Sequence, residues 1–199
     1  GASGSENTYN LDGAEVSNIR TGILDNQSKI PVEWVAETTV KSSGMDAQFG
    51  GATGGVVQAT TRSGSNDFHG QVSLYLNNDS MTARPRPTLR LNPNNDDIAE
   101  YFDNKQDNFR TLNPGYTLGG RIVRDRLWFF SSYYPSFTNT DRTVAFTSGQ
   151  TGTYNRKDRQ DFWLNRLDWM PLQKMRVTGS YMYNPSKVNG MLPARDGTS

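Results

Sequence analysis

His69 is the only histidine in the chain, and an imidazole is the side chain best suited to acid–base chemistry near neutral pH. Asp67 would share a face with it on an extended strand, and serines are plentiful, so a Ser-His-Asp arrangement for nucleophilic catalysis has to be considered. No serine lies in a nucleophile-elbow sequence or beside an oxyanion-type glycine turn. We therefore predict that the chain is not an enzyme, and we interpret His69 as a structural residue, hydrogen-bonded where two parts of the chain meet.

The acidic, amide-rich run at residues 92–108 could gather around a calcium ion. Its carboxylates are those of Asp96, Asp97, Glu100, Asp103 and Asp107. The run lacks the D-x-[DN]-x-[DN]-G spacing of an EF-hand loop. We therefore favour a solvated loop, and the sequence leaves calcium binding open.

A glycine-dense turn, GGATGG at residues 50–55, could suggest a phosphate cradle. It is neither a G-x-G-x-x-G motif after a strand nor followed by GK[ST], so we predict no nucleotide and no other cofactor. The turn contains Gly50, Gly51, Gly54 and Gly55. Because glycine has no Cβ, the backbone at these positions can take positive φ or approach another element closely. A β-branched run and the polar segment RSGSND at residues 62–67 follow the turn.

Composition narrows the class of protein. The 199 residues are 34% hydrophobic, with a mean hydropathy of −0.74, which is low for a packed soluble core but compatible with barrel strands that place only alternate residues on lipid. Neither a transmembrane helix nor a secretory segment is present, so we expect a piece of a longer exported protein. The 21 basic and 20 acidic residues are interspersed, which argues against a nucleic-acid partner. The absence of cysteine excludes disulfide scaffolds and thiolate zinc sites.

Alternation of apolar and polar residues predicts long strands in the middle of the chain. The predicted strands are residues 68–78, 115–123, 127–138, 160–170 and 174–185. Each is close to the ~9–11 residues that a tilted strand needs to cross a bilayer. The connections alternate between long and short, being residues 79–114, 124–126, 139–159 and 171–173. This alternation is typical of transmembrane barrels, whose periplasmic turns are short and whose outer loops are long.

Two of these strands carry a clear apolar face. The residues that we expect to face lipid are Val72, Leu74, Leu76, Val177 and Tyr181. Arg176 would then face a wet lumen. Aromatic residues crowd the later strands as interfacial girdles would, although aromatics also pack in the core of any β-domain.

A motif of the form T-x-SG-x-N-x-FHG joins the glycine turn to the first long strand. Its residues are Thr61, Ser63, Gly64, Asn66, Phe68, His69 and Gly70. It resembles the junction of plug and first barrel strand in TonB-dependent outer-membrane receptors, most closely the Oar-like branch with its TKSGTN-x-FHG signature. Arg62 stands where lysine is usual, and Ser65 where threonine is usual.

Further segments resemble the same family. Residues 6–16 (ENTYNLDGAEV) are similar to a plug strand with its Asp-Gly turn, and residues 32–35 (VEWV) stand in place of an IEEV stretch. Residues 113–137 are similar to the family's GGPI…KDKLFFF hairpin, with Arg121 where proline is common.

The resemblance implies a mainly β fold. Residues 1–67 would be the C-terminal part of an α+β plug domain, and residues 68–186 would supply about five antiparallel strands of a large, incomplete transmembrane barrel. Residues 187–199 would start an extracellular loop.

The resemblance also implies a location and a function. The protein would lie in the bacterial outer membrane and take up a scarce, bulky nutrient such as a siderophore, oligosaccharide or peptide. Its partners would be outer-membrane lipid and lipopolysaccharide, the remaining barrel segments, and a TonB complex acting through an N-terminal part that this sequence lacks. A basic patch at Arg84, Arg86 and Arg90 could meet lipopolysaccharide phosphates or another anionic ligand, although loop solubility also explains it.

The alternative function is a secreted or surface β-rich module for adhesion or carbohydrate binding. Its aromatic strands would form a core or a sugar platform. Such a module would fold as a soluble monomer without detergent, whereas a receptor fragment would not.

Overall fold

A computed structural model describes residues 7–18, 20–21, 24, 30–41, 55–92, 95–102, 106–146 and 150–194. These ranges contain β-strands and two short 3-10 turns, Val32–Trp34 and Asp79–Met81, and no α-helix. Within the same ranges, no helix has the length and apolarity needed to cross a bilayer.

A small N-terminal sheet is formed by four strands in the order β2-β1-β4-β3. The strands are β1 (Asn7–Leu11), β2 (Ala14–Glu15), β3 (Val35–Lys41) and β4 (Gly55–Thr61). Asp12 and Gly13 both have positive φ, 50° and 87°, which is why an Asp-Gly pair makes the tight turn between β1 and β2. β4 pairs with β1 in parallel and with β3 in antiparallel fashion.

A second, larger sheet, which we call the wall sheet, has its main strands in the order β11-β10-β9-β8-β5, and β12 also pairs with β10. The strands are β5 (His69–Asn78), β8 (Asn108–Val123), β9 (Leu127–Ala145), β10 (Thr151–Leu172), β11 (Met175–Tyr183) and β12 (Ser186–Asn189). The turns from β8 to β9 and from β10 to β11 are too short for parallel neighbours. The predicted set of five long antiparallel strands is confirmed.

Three wall strands are longer than predicted. β8, β9 and β10 have 16, 19 and 22 residues, so much of the predicted loop at residues 139–159 is a paired hairpin. Polar residues on both faces hide the period of two there, yet backbone pairing does not need apolar side chains. Thr143 and Thr153, for example, place their hydroxyls 3.0 Å apart.

The predicted loop at residues 79–114 also contains strands. β6 (Thr88–Asn92) and β7 (Asn95–Phe102) form an antiparallel hairpin, and β8 begins at Asn108. Likewise, β12 lies in the segment that we predicted to start an extracellular loop.

Contacts divide the chain into two compact units. The first comprises residues 1–73, 115–135 and 161–186, and the second comprises residues 74–114, 136–160 and 187–199. The core of the first unit consists of Trp34, Phe130, Tyr134 and Leu164, with Ile30 and Phe162 packed against it.

Candidate functional site

The first unit joins the N-terminal sheet to the wall sheet through one tryptophan. Pro31 precedes the 3-10 turn that ends at Trp34, and that turn delivers the indole into the core of the unit. Trp34 is fully buried, and its indole Nε1 donates a hydrogen bond of 2.6 Å to Ser132 Oγ on β9. Its ring meets Phe162 edge-on, with centroids 6.3 Å apart. Burial of a large aromatic with its polar atom satisfied makes Trp34 the apolar anchor of the contact.

Arg166 on β10 forms the polar half of the same contact. Its Nη1 donates to Thr61 Oγ1 at 2.9 Å, to Thr61 O at 3.2 Å and to Asp12 Oδ1 at 3.3 Å. Asp12 in turn accepts hydrogen bonds from the backbone N (2.8 Å) and the hydroxyl (2.6 Å) of Thr61. A single guanidinium therefore holds the end of β4 and the β1–β2 turn together.

Asp168 balances the charge of Arg166 from within the wall sheet. Only 1% of its side chain is exposed, and it accepts from Arg166 Nε at 2.9 Å, Arg176 Nη2 at 3.0 Å and Thr178 Oγ1 at 2.8 Å. A buried carboxylate is tolerated when its oxygens are satisfied in this way. Arg176 therefore shares a face with the contact to the N-terminal sheet, as the prediction of a polar inner face requires.

The sheet faces of the first unit are chemically distinct. The inner face, which touches the N-terminal sheet, carries Phe130, Ser132, Leu164, Arg166 and Asp168. The opposite, outer face carries exposed apolar and aromatic residues such as Leu167 and Trp169, paired across strands with Gly179 and Val177. Of the residues that we predicted to face lipid, Val72, Leu74, Leu76, Val177 and Tyr181 are all exposed.

Asn66 ties the segment between the two sheets to the β8–β9 turn. Its side-chain Oδ1 accepts from the backbone N of Asp125 at 3.0 Å and from Trp128 Nε1 at 2.8 Å, and its Nδ2 donates to Asp125 Oδ1. Its backbone oxygen accepts from Arg121 Nη1. Asp125 has a φ of 59°, so Asn66 supports a turn whose backbone is itself costly. The T-x-SG-x-N-x-FHG motif and the downstream hairpin motif are therefore physically coupled.

Close packing explains two further residues of the motif. A Cβ on Gly64 would collide with the carbonyl oxygen of Phe129 and would lie 2.8 Å from that of Gly120. The ring of Phe68 lies against Gly120, and Arg121 lies over the same ring with its Cζ 5.9 Å from the centroid. Through these contacts, the segment between β4 and β5 packs against β8 and β9.

His69 makes local hydrogen bonds at the start of β5. Its Nδ1 lies 3.1 Å from the backbone oxygen of Asp67 and 3.3 Å from Ser65 Oγ, so the Asp67 carboxylate does not orient the ring. The ring covers Gly119, where an added Cβ would lie 2.7 Å from Nε2. The His69 ring thus packs against β8, and its structural role stays a prediction.

The remaining motif residues are spread along the same path. Gly55 begins β4 and Thr61 ends it, Ser63 lies between the sheets, and Gly70 lies on β5 where a Cβ would come 3.0 Å from Thr117 O. Gly50, Gly51 and Gly54 lie outside the described residues.

Two acidic residues of the 92–108 run, Glu100 and Asp107, have separate partners in the second unit. Glu100 pairs with Arg90 at 3.0 Å, and Asp107 pairs with Arg142 at 2.8 Å. In the part of the chain that the structure describes, no three His, Cys, Asp or Glu residues form a group that could hold a metal ion. Arg90 of the predicted basic patch thus belongs to a cross-strand ion pair of the β6–β7 hairpin.

Sequence reasoning missed most of the residues that connect the sheets. The contact is carried by Asp12, Ser132, Arg166 and Asp168, of which the sequence indicated only Asp12, as part of an Asp-Gly turn. Arg166 and Asp168 alternate in step with the buried Leu164, a pattern that marks an inner face rather than a lipid face.

Comparison with known proteins agrees with this geometry. The family model described as outer membrane beta barrel domain matches residues 60–148. The TonB-dependent transporter Oar of Myxococcus xanthus is 35% identical over 164 residues, which cover 81% of this chain and 15% of that protein. The chain thus spans 15% of the length of this relative.

The fold and these likenesses define the class as a β-barrel protein of the bacterial outer membrane. Within that class, the chain is similar to the TonB-dependent transporter Oar, in agreement with the predicted resemblance to the Oar-like branch. The expected resemblance and the expected outer-membrane location are confirmed.

Proposed function

We propose that this chain is the plug–wall junction of a transporter that imports a scarce, bulky nutrient across the outer membrane. Residues 1–67 form the end of the plug, residues 68–186 form the first wall strands, and residues 187–199 start an extracellular loop. A siderophore, an oligosaccharide or a peptide is the class of cargo that we propose. The TonB dependence named for the Oar relative supports energy input from a TonB complex acting on the plug.

One observation carries the proposal: beside the single buried anchor Trp34, the N-terminal sheet is held on the inner face of the wall by polar side chains that water can replace. Arg166, Asp12 and Thr61 exchange hydrogen bonds across the contact. Their charged and hydroxyl groups regain hydration when they separate in a wet lumen, so parting them costs far less than parting an apolar interface of equal area. A contact of this kind suits a plug that has to be displaced and then returned.

The outer face supports a membrane setting for the same strands. Its exposed side chains include Val72, Leu74, Leu76, Val177 and Tyr181, and we propose that these residues meet lipid. Exposed apolar residues on alternate positions would be a liability in water, whereas a barrel buries them in the bilayer. The chain's role is then binding and movement, without a chemical step.

A reversible lock tests the proposal in the full-length protein that carries this chain. Thr61→Cys and Arg166→Cys place one thiol on each side of the contact, and a short, reducible thiol crosslinker joins them. Uptake by the uncrosslinked double variant is measured first as the reference. We expect energy-dependent uptake to stop on crosslinking and to return on reduction.

A second cysteine pair controls for crosslinking itself. Asn165 and Tyr181 are direct partners on β10 and β11, so Asn165→Cys with Tyr181→Cys joins wall to wall. That lock should leave uptake unchanged. Full uptake by a completely crosslinked Thr61–Arg166 pair would contradict the proposal.

A further inference from the structure

A groove in the second unit combines cationic with apolar side chains. Its volume is ≈ 400 Å³, within the range of small-molecule sites. The side chains that matter most are Arg110, Lys157, Arg159, Lys187, Leu112 and Phe137. These residues lie on β8, β9, β10 and β12. The pairing of the strands therefore fixes the backbone positions from which their side chains project.

Three cations of the groove, Arg110, Lys157 and Lys187, carry positive charge that no carboxylate of the lining balances. Asp158 also lines the groove, but Arg156 holds that carboxylate, with Nε 3.0 Å from both oxygens and Nη2 2.8 Å from Oδ1. Among the described residues, no carboxylate forms an ion pair with Arg110, Lys157 or Lys187. Cations gathered in one groove repel one another, and an anionic ligand relieves that repulsion.

The aromatic and amide side chains of the groove indicate which class of anionic ligand it would bind. Arg159 lies over the Phe137 ring, with its Cζ 5.4 Å from the centroid, so an aromatic face and a guanidinium are presented together. The amides of Asn139 and Asn189 add donors and acceptors suited to hydroxyl groups. This lining matches a phosphorylated sugar better than a bare phosphate. The cations suit the phosphate, the amides suit the hydroxyl groups, and the aromatic face suits the sugar ring.

We propose that this groove binds a phosphorylated sugar. Lys157 and Lys187 contact the phosphate together with Arg110, and Phe137, with Arg159 over one face of its ring, packs against the sugar. The proposal does not depend on which cargo is transported. The same chemistry comes from two sources, the headgroup of an outer-leaflet glycolipid and a soluble sugar phosphate.

The position of the groove along the strands makes the glycolipid source testable. Lys157 and Arg159 lie within three residues of the predicted membrane span that begins at residue 160, which is about 10 Å along a strand. Polar headgroups occupy this zone next to the hydrocarbon core.

The test uses the full-length protein and two probes. Glucosamine 1-phosphate is titrated by calorimetry, and binding to nanodiscs that contain a bisphosphorylated glucosamine lipid is compared with binding to phosphatidylcholine nanodiscs. The groove variant is Lys157→Gln with Lys187→Gln. The matched control is Arg124→Gln with Lys174→Gln, which removes the same charge from two tight turns outside the groove.

We expect the groove variant to weaken binding of at least one probe by about tenfold or more, since charge-assisted hydrogen bonds are lost, and to flatten its salt dependence. The control variant should bind like the parent, and Asp158→Asn should bind more tightly because it removes the carboxylate that lines the groove. Binding of the soluble probe supports a soluble source, and binding only in nanodiscs supports the glycolipid. Absence of binding by both probes, or equal loss in the groove and control variants, would overturn the proposal. Circular dichroism confirms that each variant is folded.

Discussion

Replacing Arg166 by methionine should loosen the N-terminal sheet from the wall sheet. The change keeps a long, unbranched side chain but removes the donors to Thr61 and Asp12, the nearest at 2.9 Å. Only 10% of the Arg166 side chain and 22% of the Asp12 side chain are exposed, so solvent screens the pair weakly. The contact with Asp12 is a single one at 3.3 Å. We therefore expect a coupling free energy between the two residues of ~1–2 kcal/mol, or about 5- to 30-fold.

The assay is a double-mutant cycle read out by exposure of a buried thiol. Val56 on β4 is buried and the chain contains no cysteine, so Val56→Cys reports opening of the N-terminal sheet in an otherwise cysteine-free background. Maleimide labelling is kept slow relative to reclosing, so its rate follows the opening equilibrium. The rates are compared for the parent, Arg166→Met, Asp12→Asn and the double variant.

Arg176 provides a matched control for the cycle. It also donates to Asp168, but its side chain is 53% exposed and it makes no contact with Asp12. Arg176→Met and Asp12→Asn should therefore be additive within ~0.3–0.5 kcal/mol. If Arg166→Met and Asp12→Asn are additive to the same extent, Arg166 does not hold the two sheets together.

Three further predictions concern the same junction. Trp34→Ala should destabilise the first unit by ~3–5 kcal/mol, since it empties a buried aromatic site, and Trp34→Phe should recover part of that loss in urea unfolding. Gly64→Ala should cost ~1–3 kcal/mol because the new Cβ meets backbone carbonyls, whereas Gly179→Ala, with no atom within 4 Å, should stay within ~0.5 kcal/mol of the parent; equal midpoints would contradict the contact. Asn66→Ala should leave the Trp128 indole and the β8–β9 turn without their acceptor, so hydrogen exchange at Asp125 should speed up by roughly tenfold while exchange in β11 stays unchanged.

The five long wall strands could be predicted from sequence because one face of each is apolar and the other polar, whereas β12 and the strand order could not. That signal is strong only where the two faces meet different surroundings. Beyond residue 138 of β9 and before residue 160 of β10, polar residues occupy both faces, and the period of two disappears although the pairing continues. The predicted strands therefore ended where the chemistry of the faces changed.

The motif residues could be predicted, but their partners could not. Asn66 and Asp125 are 59 positions apart, and Arg166 and Asp12 are 154 positions apart. A charged residue on an alternating strand indicates a wet face and does not reveal which distant carboxylate it meets. Only the pairing of β10 with β9 and the docking of the N-terminal sheet bring Arg166 and Asp12 together.

The N-terminal sheet and the wall sheet are joined by one apolar contact and one polar contact, which respond differently to separation. Trp34 loses a large apolar burial when the sheets part, so it resists separation, whereas Arg166 and Asp12 exchange one set of polar partners for water. Asp168 remains with Arg176 and Thr178 after such a movement, because those partners lie in the wall itself, and Arg166 keeps its hydrogen bonds to Asp168. The wall's charged network is therefore balanced with or without the N-terminal sheet. Separation of the N-terminal sheet from such a wall would leave no unpaired buried charge on the wall, and the same arginine would be available to bind Asp12 and Thr61 again.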